Sequence, residues 1–255
     1  MEHGTLLIIG VSSDIGMAYA GEYAGRYERI VGTYRTDSDA LRELRGKLGE
    51  KLELYKLDLL NEEETERFCT HMTEHSLLPD YVLHLSAQKT PMVRANELES
   101  ERLRADLEIS VVSFLRILRP VLSSMSKKQF GRICCMLSSV TRYPNAFQTS
   151  YMASKFALYG AVRGLAAEYA GKKITVNAVS PSMIDTKFNV DISDFVRKKN
   201  IQINPQRRLA NPGDVTRAIA FLLEDANEYI TGENVLISGG GHFVRGGIVL
   251  EKLHS

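Results

Sequence analysis

"TLLIIGVSSDIG", residues 5–16, decides the fold. Thr5 to Ile9 is apolar on both faces of an extended chain, as in a parallel strand covered from both sides. Gly10 ends the run, and small polar residues follow. "DIGMAYAGEYAGRY" (14–27) then has helical composition. A strand that turns directly into a helix is the first half of a βαβ unit. The rest of the chain repeats the pattern. Strands are expected at 29–34, 52–58, 81–87, 131–137, 174–180 and 234–238. Helices are expected at 38–49, 61–75, 98–125, 150–170 and 212–225, with an irregular stretch at 187–210. The expectation is an α/β fold: a doubly wound parallel sheet of about seven strands with helices on both faces. Residues 1–255 would form one domain. In such sheets ligands bind beyond the carboxyl ends of the strands, so chemical residues should gather there.

Composition bounds the function. The chain has 255 residues, 44% hydrophobic and 25% charged, with a formal net charge of +1. That balance suits a globular protein with a substantial core. No like-charge block suggests a nucleic-acid or polybasic membrane partner. No run of about 18 apolar residues predicts a membrane span. The opening "MEHGTLLIIGVSS" leads directly into a strand and is not expected to be a secretory leader. Three cysteines, two of them adjacent, predict no disulfide framework and a reducing cytoplasm.

The first turn, Gly10 to Gly16, brings backbone N–H groups and a helix N-terminus together, an arrangement that favours an anion. Ser12, Ser13 or Asp14 could equally cap an ordinary helix there. The second strand ends in "GTYRTD" (32–37). Arg35 offers a planar fork for a 2′-phosphate, with Thr36 beside it. Asp37 could pair with Arg35 or reach a ribose itself.

"SYMASK" (150–155) places Tyr151 four residues before Lys155, on one helix face. A free tyrosine titrates near a pKa of about 10, and an adjacent ammonium lowers that value by stabilising phenolate. One such pair proves little. Here Ser138 stands at the end of a strand thirteen residues earlier, the anion turn closes strand one, and "VNAVSPSMIDT" (176–186) follows the tyrosine helix.

Together these features resemble the classical short-chain dehydrogenase/reductase family over nearly the whole chain, most nearly its 3-oxoacyl-acyl-carrier-protein reductase-like members. The resemblance implies a Rossmann-type fold and hydride transfer between a nicotinamide cofactor and a carbonyl or alcohol. The favoured pairing is NADP(H) with a 3-oxoacyl or similar small ketone, carried or free. NAD-linked sugar or polyol oxidation is one alternative, and a nucleotide-binding scaffold or regulator of weak activity another. Tyr151 would protonate the carbonyl oxygen and Ser138 would orient it, with Ser139 as rival. Lys155 would hold the nicotinamide ribose and lower the Tyr151 pKa. Ser110 falls where the family has an asparagine that supports a proton relay. Cofactor contacts would come from Gly10, Ser12, Ser13, Asp14, Ile15, Gly16, Arg35, Thr36, Asp58, Leu59, Ser86, Ala87, Tyr151, Lys155, Pro181, Ser182, Ile184 and Thr186. A substrate lid would span about 187–208. The assembly implied is a homotetramer (or homodimer) built on helices 98–125 and 150–170.

The chain departs from the family pattern at Asp14, at Ser110, in the segment His84-Leu85-Ser86-Ala87, and at Ser182. "HMTEH" (71–75) has zinc-helix spacing, but no third ligand is evident and no metal is expected. Met183, Phe188 and Phe195 read equally as substrate-pocket or core residues. Lys198, Lys199, Arg207 and Arg208 read mainly as a solvated charge run.

Overall fold

The computed structural model describes residues 3–89 and 91–241. Met1 and Glu2 of the expected non-leader start, and residues 242–255 of the expected domain, lie outside them. Seven strands run β1 (His3–Ile9), β2 (Tyr27–Tyr34), β3 (Leu52–Lys56), β4 (Tyr81–His84), β5 (Gly131–Met136), β6 (Ile174–Pro181) and β7 (Asn234–Ile237). They form one sheet in the order β3-β2-β1-β4-β5-β6-β7. Every pairing is parallel. Strand order reverses between β1 and β4, so a crevice opens there at the carboxyl edge.

The helices are α1 (Asp14–Tyr23), α2 (Asp39–Leu48), α3 (Glu62–Glu74), α4 (Ser100–Leu107), α5 (Ser113–Lys128), α6 (Thr149–Tyr169), α7 (Asp194–Ile203) and α8 (Pro212–Leu222). Two apolar cores sandwich the sheet. On one face Phe68 and Met72 of α3, Phe114 and Ile117 of α5 and Leu158 of α6 pack against Leu7, Ile133 and Val176. On the other, Tyr19 of α1, Leu41 of α2 and Ile219 of α8 pack against Leu6, Ile8 and Cys134. Alternating strand residues therefore feed opposite cores, which is why the central strands read as unbroken apolar runs.

Three elements differ from the sequence reading. The first helix stops at Tyr23; a 3-10 turn follows, and Tyr27 already pairs with His3. The Tyr27 hydroxyl hydrogen-bonds that of Tyr19 at 2.6 Å inside the core, a contact no local pattern reveals. The long helix expected at 98–125 is interrupted by a π-turn at Glu108–Val112. The continuous helical stretch Ser100–Lys128 is long and apolar enough to cross a membrane by length and composition alone. Half of its apolar window is buried, and Phe114, Leu118, Val121 and Met125 are core residues. The irregular stretch contains a ten-residue helix, α7, capped by Ser193 and burying no residue.

Candidate active site

The residues singled out in the sequence converge on the carboxyl edge of the sheet. Gly10 follows β1, Arg35 follows β2, Asp58 lies two residues past β3, and Ser86 and Ala87 follow β4. Ser138 follows β5, and Ser182 follows β6. Each strand delivers one short loop to the same rim.

The turn after β1 is built for close approach. Gly10 has φ +92°, a region L side chains avoid. A Cβ there would stand 2.8 Å from Ser86 Oγ and 3.2 Å from Ser86 N, so only glycine lets the β1 and β4 loops touch. Gly16 meets the turn from the helix side: its Cβ would fall 2.7 Å from the Val11 carbonyl. Of the three candidate caps, Ser13 is the one used, accepting from Gly16 N at 3.0 Å while its hydroxyl donates to the Gly10 carbonyl. Ser12 is partly exposed and Ile15 is buried in the core. Asp14 turns toward the segment after β6, and its carboxylate accepts from Lys187 N at 2.6 Å. Gly10 N and Val11 N donate to Thr33 O, and Ser13 N donates to Gly10 O, so the anion-favouring end of the turn is the N-terminus of α1. A glycine turn opening a helix at the strand-order reversal fits a dinucleotide.

At the β2 tip, Arg35 and Thr36 are exposed. Asp37 does not pair with Arg35: it holds Arg42 at 2.5 Å and accepts from Ser38 N. Arg35 is therefore not neutralised by Asp37. Asp58 accepts from Leu60 N at 3.0 Å and is positioned by Glu64, which accepts from Asp58 N. Leu59 has its side chain in the core. At β6, Pro181 and Ile184 are buried, while Ser182 N donates to Ile237 O and Thr186 precedes the 3-10 turn Lys187–Asn189.

Ser138, Tyr151 and Lys155 come together between β5 and α6. Ser138 lies close enough to the Tyr151 phenol to act on its titration, and Ser139 does not, which favours Ser138 as its partner. Lys155 is 1% exposed, and its Nζ lies 5.7 Å from the Tyr151 ring centroid. That nitrogen donates to the Met136 carbonyl at 2.8 Å.

The electrostatics correct one expectation. The Tyr151 pKa is raised, not lowered: enclosure by protein pushes it up, the Ser138 hydroxyl opposes, and Asp106 pushes it further up. Burial draws Lys155 down to about 8, opposed by Cys135 and Asp106. A desolvated ammonium engaged by a carbonyl offers the phenolate little net help.

Asp106 is a residue the sequence reading missed. It is 3% exposed on α4 and accepts from Ser150 Oγ at 2.6 Å, one position before Tyr151. Its i,i+4 spacing to Arg102 looks like a surface pair; only the packing of α4 on α6 buries it. Ser110 sits on the π-turn, 3% exposed, and its carbonyl accepts from His84 Nε2 at 3.0 Å. His84 does not line an open cleft; it is buried against Phe114.

The competing motifs resolve by position. His71 contacts Glu53 at 3.3 Å, and its ring lies tilted by 33° beside that of His75 with centroids 4.2 Å apart. Among the described residues no His, Cys, Asp and Glu group could hold a metal. Phe188 and Phe195 are 42% and 75% exposed, so the core reading fails for both; Met183 also lies outside both cores. Arg208 pairs with Asp214 at 2.5 Å, and Arg207 donates to the Gln202 carbonyl.

Comparison with known proteins agrees with this fold. A family profile described as "Enoyl-(Acyl carrier protein) reductase" matches residues 10–242. The 3-oxoacyl-[acyl-carrier-protein] reductase FabG of Vibrio cholerae is 30% identical over 244 residues, covering 96% of this chain and 99% of that protein. The acetoacetyl-CoA reductase of Allochromatium vinosum is 30% identical over 200 residues, covering 78% and 80%. A Beutenbergia cavernae structure, described as an NAD(P)-dependent gluconate 5-dehydrogenase with NADP at low occupancy, superposes with a TM-score of 0.87. It is 24% identical and covers 95% of this chain and 98% of that one.

Proposed function

Given that this chain belongs to the classical short-chain dehydrogenase/reductase family and is an NAD(P)-dependent oxidoreductase, we propose that it reduces a 3-oxoacyl or similar small ketone with NADPH. The observation that carries the reading is the convergence of Ser138, Tyr151 and Lys155 beside the Gly10 turn at the reversal of strand order. Both curated relatives described above are named for 3-oxoacyl substrates. Exposed apolar side chains on the flanking segments (Met92, Phe147, Phe188, Val190) suit an acyl chain. Those segments are tied together: Val93 N donates to the Phe147 carbonyl, and Lys89 pairs with Asp191. The lid at 187–208 and the remainder of 1–255 act as one catalytic domain in this reading.

When bound, the nicotinamide supplies the hydride; the protein supplies position and a proton. The phenol, kept protonated by its enclosure, gives its proton to the carbonyl oxygen. The Ser138 hydroxyl, beside the phenol, orients that oxygen. Lys155, charged below a pH of about 8, meets the ribose and stands beside the phenol as it loses its proton. The Gly10–Gly16 turn holds pyrophosphate, and Arg35 reads the 2′-phosphate. Free, buried Cys69, Cys134 and Cys135 suit a reducing cytoplasm. Exposed Val112, Leu115 and Phe156 on the α4–α5 stretch and α6 support a homotetramer through those helices.

The test pairs Tyr151→Phe with Arg35→Ala. Tyr151→Phe should slow NADPH-driven reduction of a 3-oxoacyl thioester by at least about 10²-fold with dinucleotide affinity kept. Arg35→Ala should weaken NADPH binding by about tenfold or more and leave NADH nearly unchanged. Undiminished reduction by Tyr151→Phe sinks the catalytic assignment. Equal losses for the two dinucleotides sink the NADP(H) preference.

A further inference from the structure

One buried titratable side chain has no task in the scheme above. His84 ends β4, is 1% exposed, and its ring lies flat on Phe114 with centroids 4.4 Å apart and planes 6° apart. Its Nε2 is 3.0 Å from the Ser110 carbonyl. A carbonyl oxygen only accepts, so Nε2 carries hydrogen. Burial first, then the nearby Lys155 charge, draws the ring down to about 3, so it is neutral. A neutral imidazole has one N–H, which leaves Nδ1 a bare acceptor. That atom is buried and, among the described residues, has no hydrogen-bond donor. Buried acceptors are nearly always partnered. The charged group acting on the ring is Lys155, which gives one of its three N–H groups to Met136 O.

We propose that His84 is a positioning residue for Lys155: its Nδ1 accepts, through one enclosed water, from the ammonium and holds it beside Tyr151. The proposal rests on the reading of Tyr151 and Lys155 as the proton-transfer pair. The Ser110 carbonyl, presented by the π-turn, sets the imidazole tautomer that leaves Nδ1 free to accept. The other groups facing Lys155 are accounted for. Cys135 on β5 is pushed up to about 12 by burial and stays a neutral thiol. Asp106 on α4 favours the ammonium. Tyr151 shares its helix. An acceptor on the ammonium opposes the desolvation that draws Lys155 toward neutrality.

Substitutions separate the two ring nitrogens. His84→Asn keeps an acceptor near Nδ1, His84→Gln keeps a donor toward Ser110, and His84→Phe keeps only the stacking. The first readout needs no turnover: the imidazole nitrogen resonances of the dinucleotide-free protein. Nδ1 should resonate as a hydrogen-bonded acceptor and shift to the free-acceptor position in Lys155→Met. The second is kcat against pH. His84→Phe and His84→Gln should lower kcat about tenfold at neutral pH and move the limb set by Tyr151 to higher pH by about one pH unit. KM should barely change, and His84→Asn should recover most of the rate lost in His84→Phe. An Nδ1 resonance unmoved in Lys155→Met, or a wild-type kcat and pH profile in His84→Gln, overturns the proposal. With Tyr151→Phe inactive, those results remove only the role of His84; with Tyr151→Phe active, the proton-transfer reading itself falls.

Discussion

Replacing Gly10 with alanine should destabilise the fold by roughly 3 kcal/mol, and the structure supplies the terms. Gly10 has φ +92°, where an L side chain costs about 1–2 kcal/mol. The added methyl would stand 2.8 Å from Ser86 Oγ and 3.2 Å from Ser86 N. The hydroxyl can rotate away, but the backbone nitrogen cannot, so the β4 loop must retreat, at about 1–3 kcal/mol for such overpacking. A stiffer unfolded chain returns about 0.4–1 kcal/mol. Gly46 is the control. It is exposed on α2, and a Cβ there meets nothing within 4 Å. Gly46→Ala should therefore stabilise by about 0.5–1 kcal/mol. Urea unfolding followed by circular dichroism, at one protein concentration for all variants, reads both. Dinucleotide titration of Gly10→Ala should also show weaker binding, because the displaced loop carries Ser86 and Ala87. A Gly10→Ala protein within about 0.5 kcal/mol of wild type would refute the close-approach argument.

Other tests address stability and assembly. Arg132 is 1% exposed and donates to the carbonyls of Gly131, Lys173, Glu224 and Asp225. Arg132→Met should cost at least about 3 kcal/mol by leaving several carbonyls unpaired, and a wild-type urea midpoint would contradict this. The Asp214 carboxyl is held down to about 2, chiefly by its hydrogen bond from Arg208. Its folded value lies below its unfolded one of about 3.9, so its stabilisation is full above that pH and vanishes as pH falls toward 2. Asp214→Asn, which also weakens the α8 capping box, should cost about 1 kcal/mol at neutral pH. That gap should close between pH 4 and 2, and a pH-independent gap would exclude the ion pair as its source. Phe156, 48% exposed on α6, should be buried between subunits. Phe156→Asp should sediment as a smaller species than wild type, and a wild-type protein that is already monomeric removes the interface.

Local pattern was enough for the alternation of strands and helices, the parallel sheet, the turn at Gly10, and the shared helix face of Tyr151 and Lys155; Ser138 was joined to them by resemblance to a known family. The local features follow from periodicity and from spacing along one helix or strand, and short-range geometry sets both. Helix α7 was also within reach: Ser193 followed by Asp194 is a cap signal, but its weak apolar face hid it. Tertiary packing alone decided the rest. It joined Asp14 to Lys187 across 173 residues, buried Asp106 beneath α6, and set His84 against Ser110 and Phe114. It also reversed the expected direction of the Tyr151 pKa. Desolvation depends on everything that surrounds a group, and that surrounding comes from segments distant in the chain.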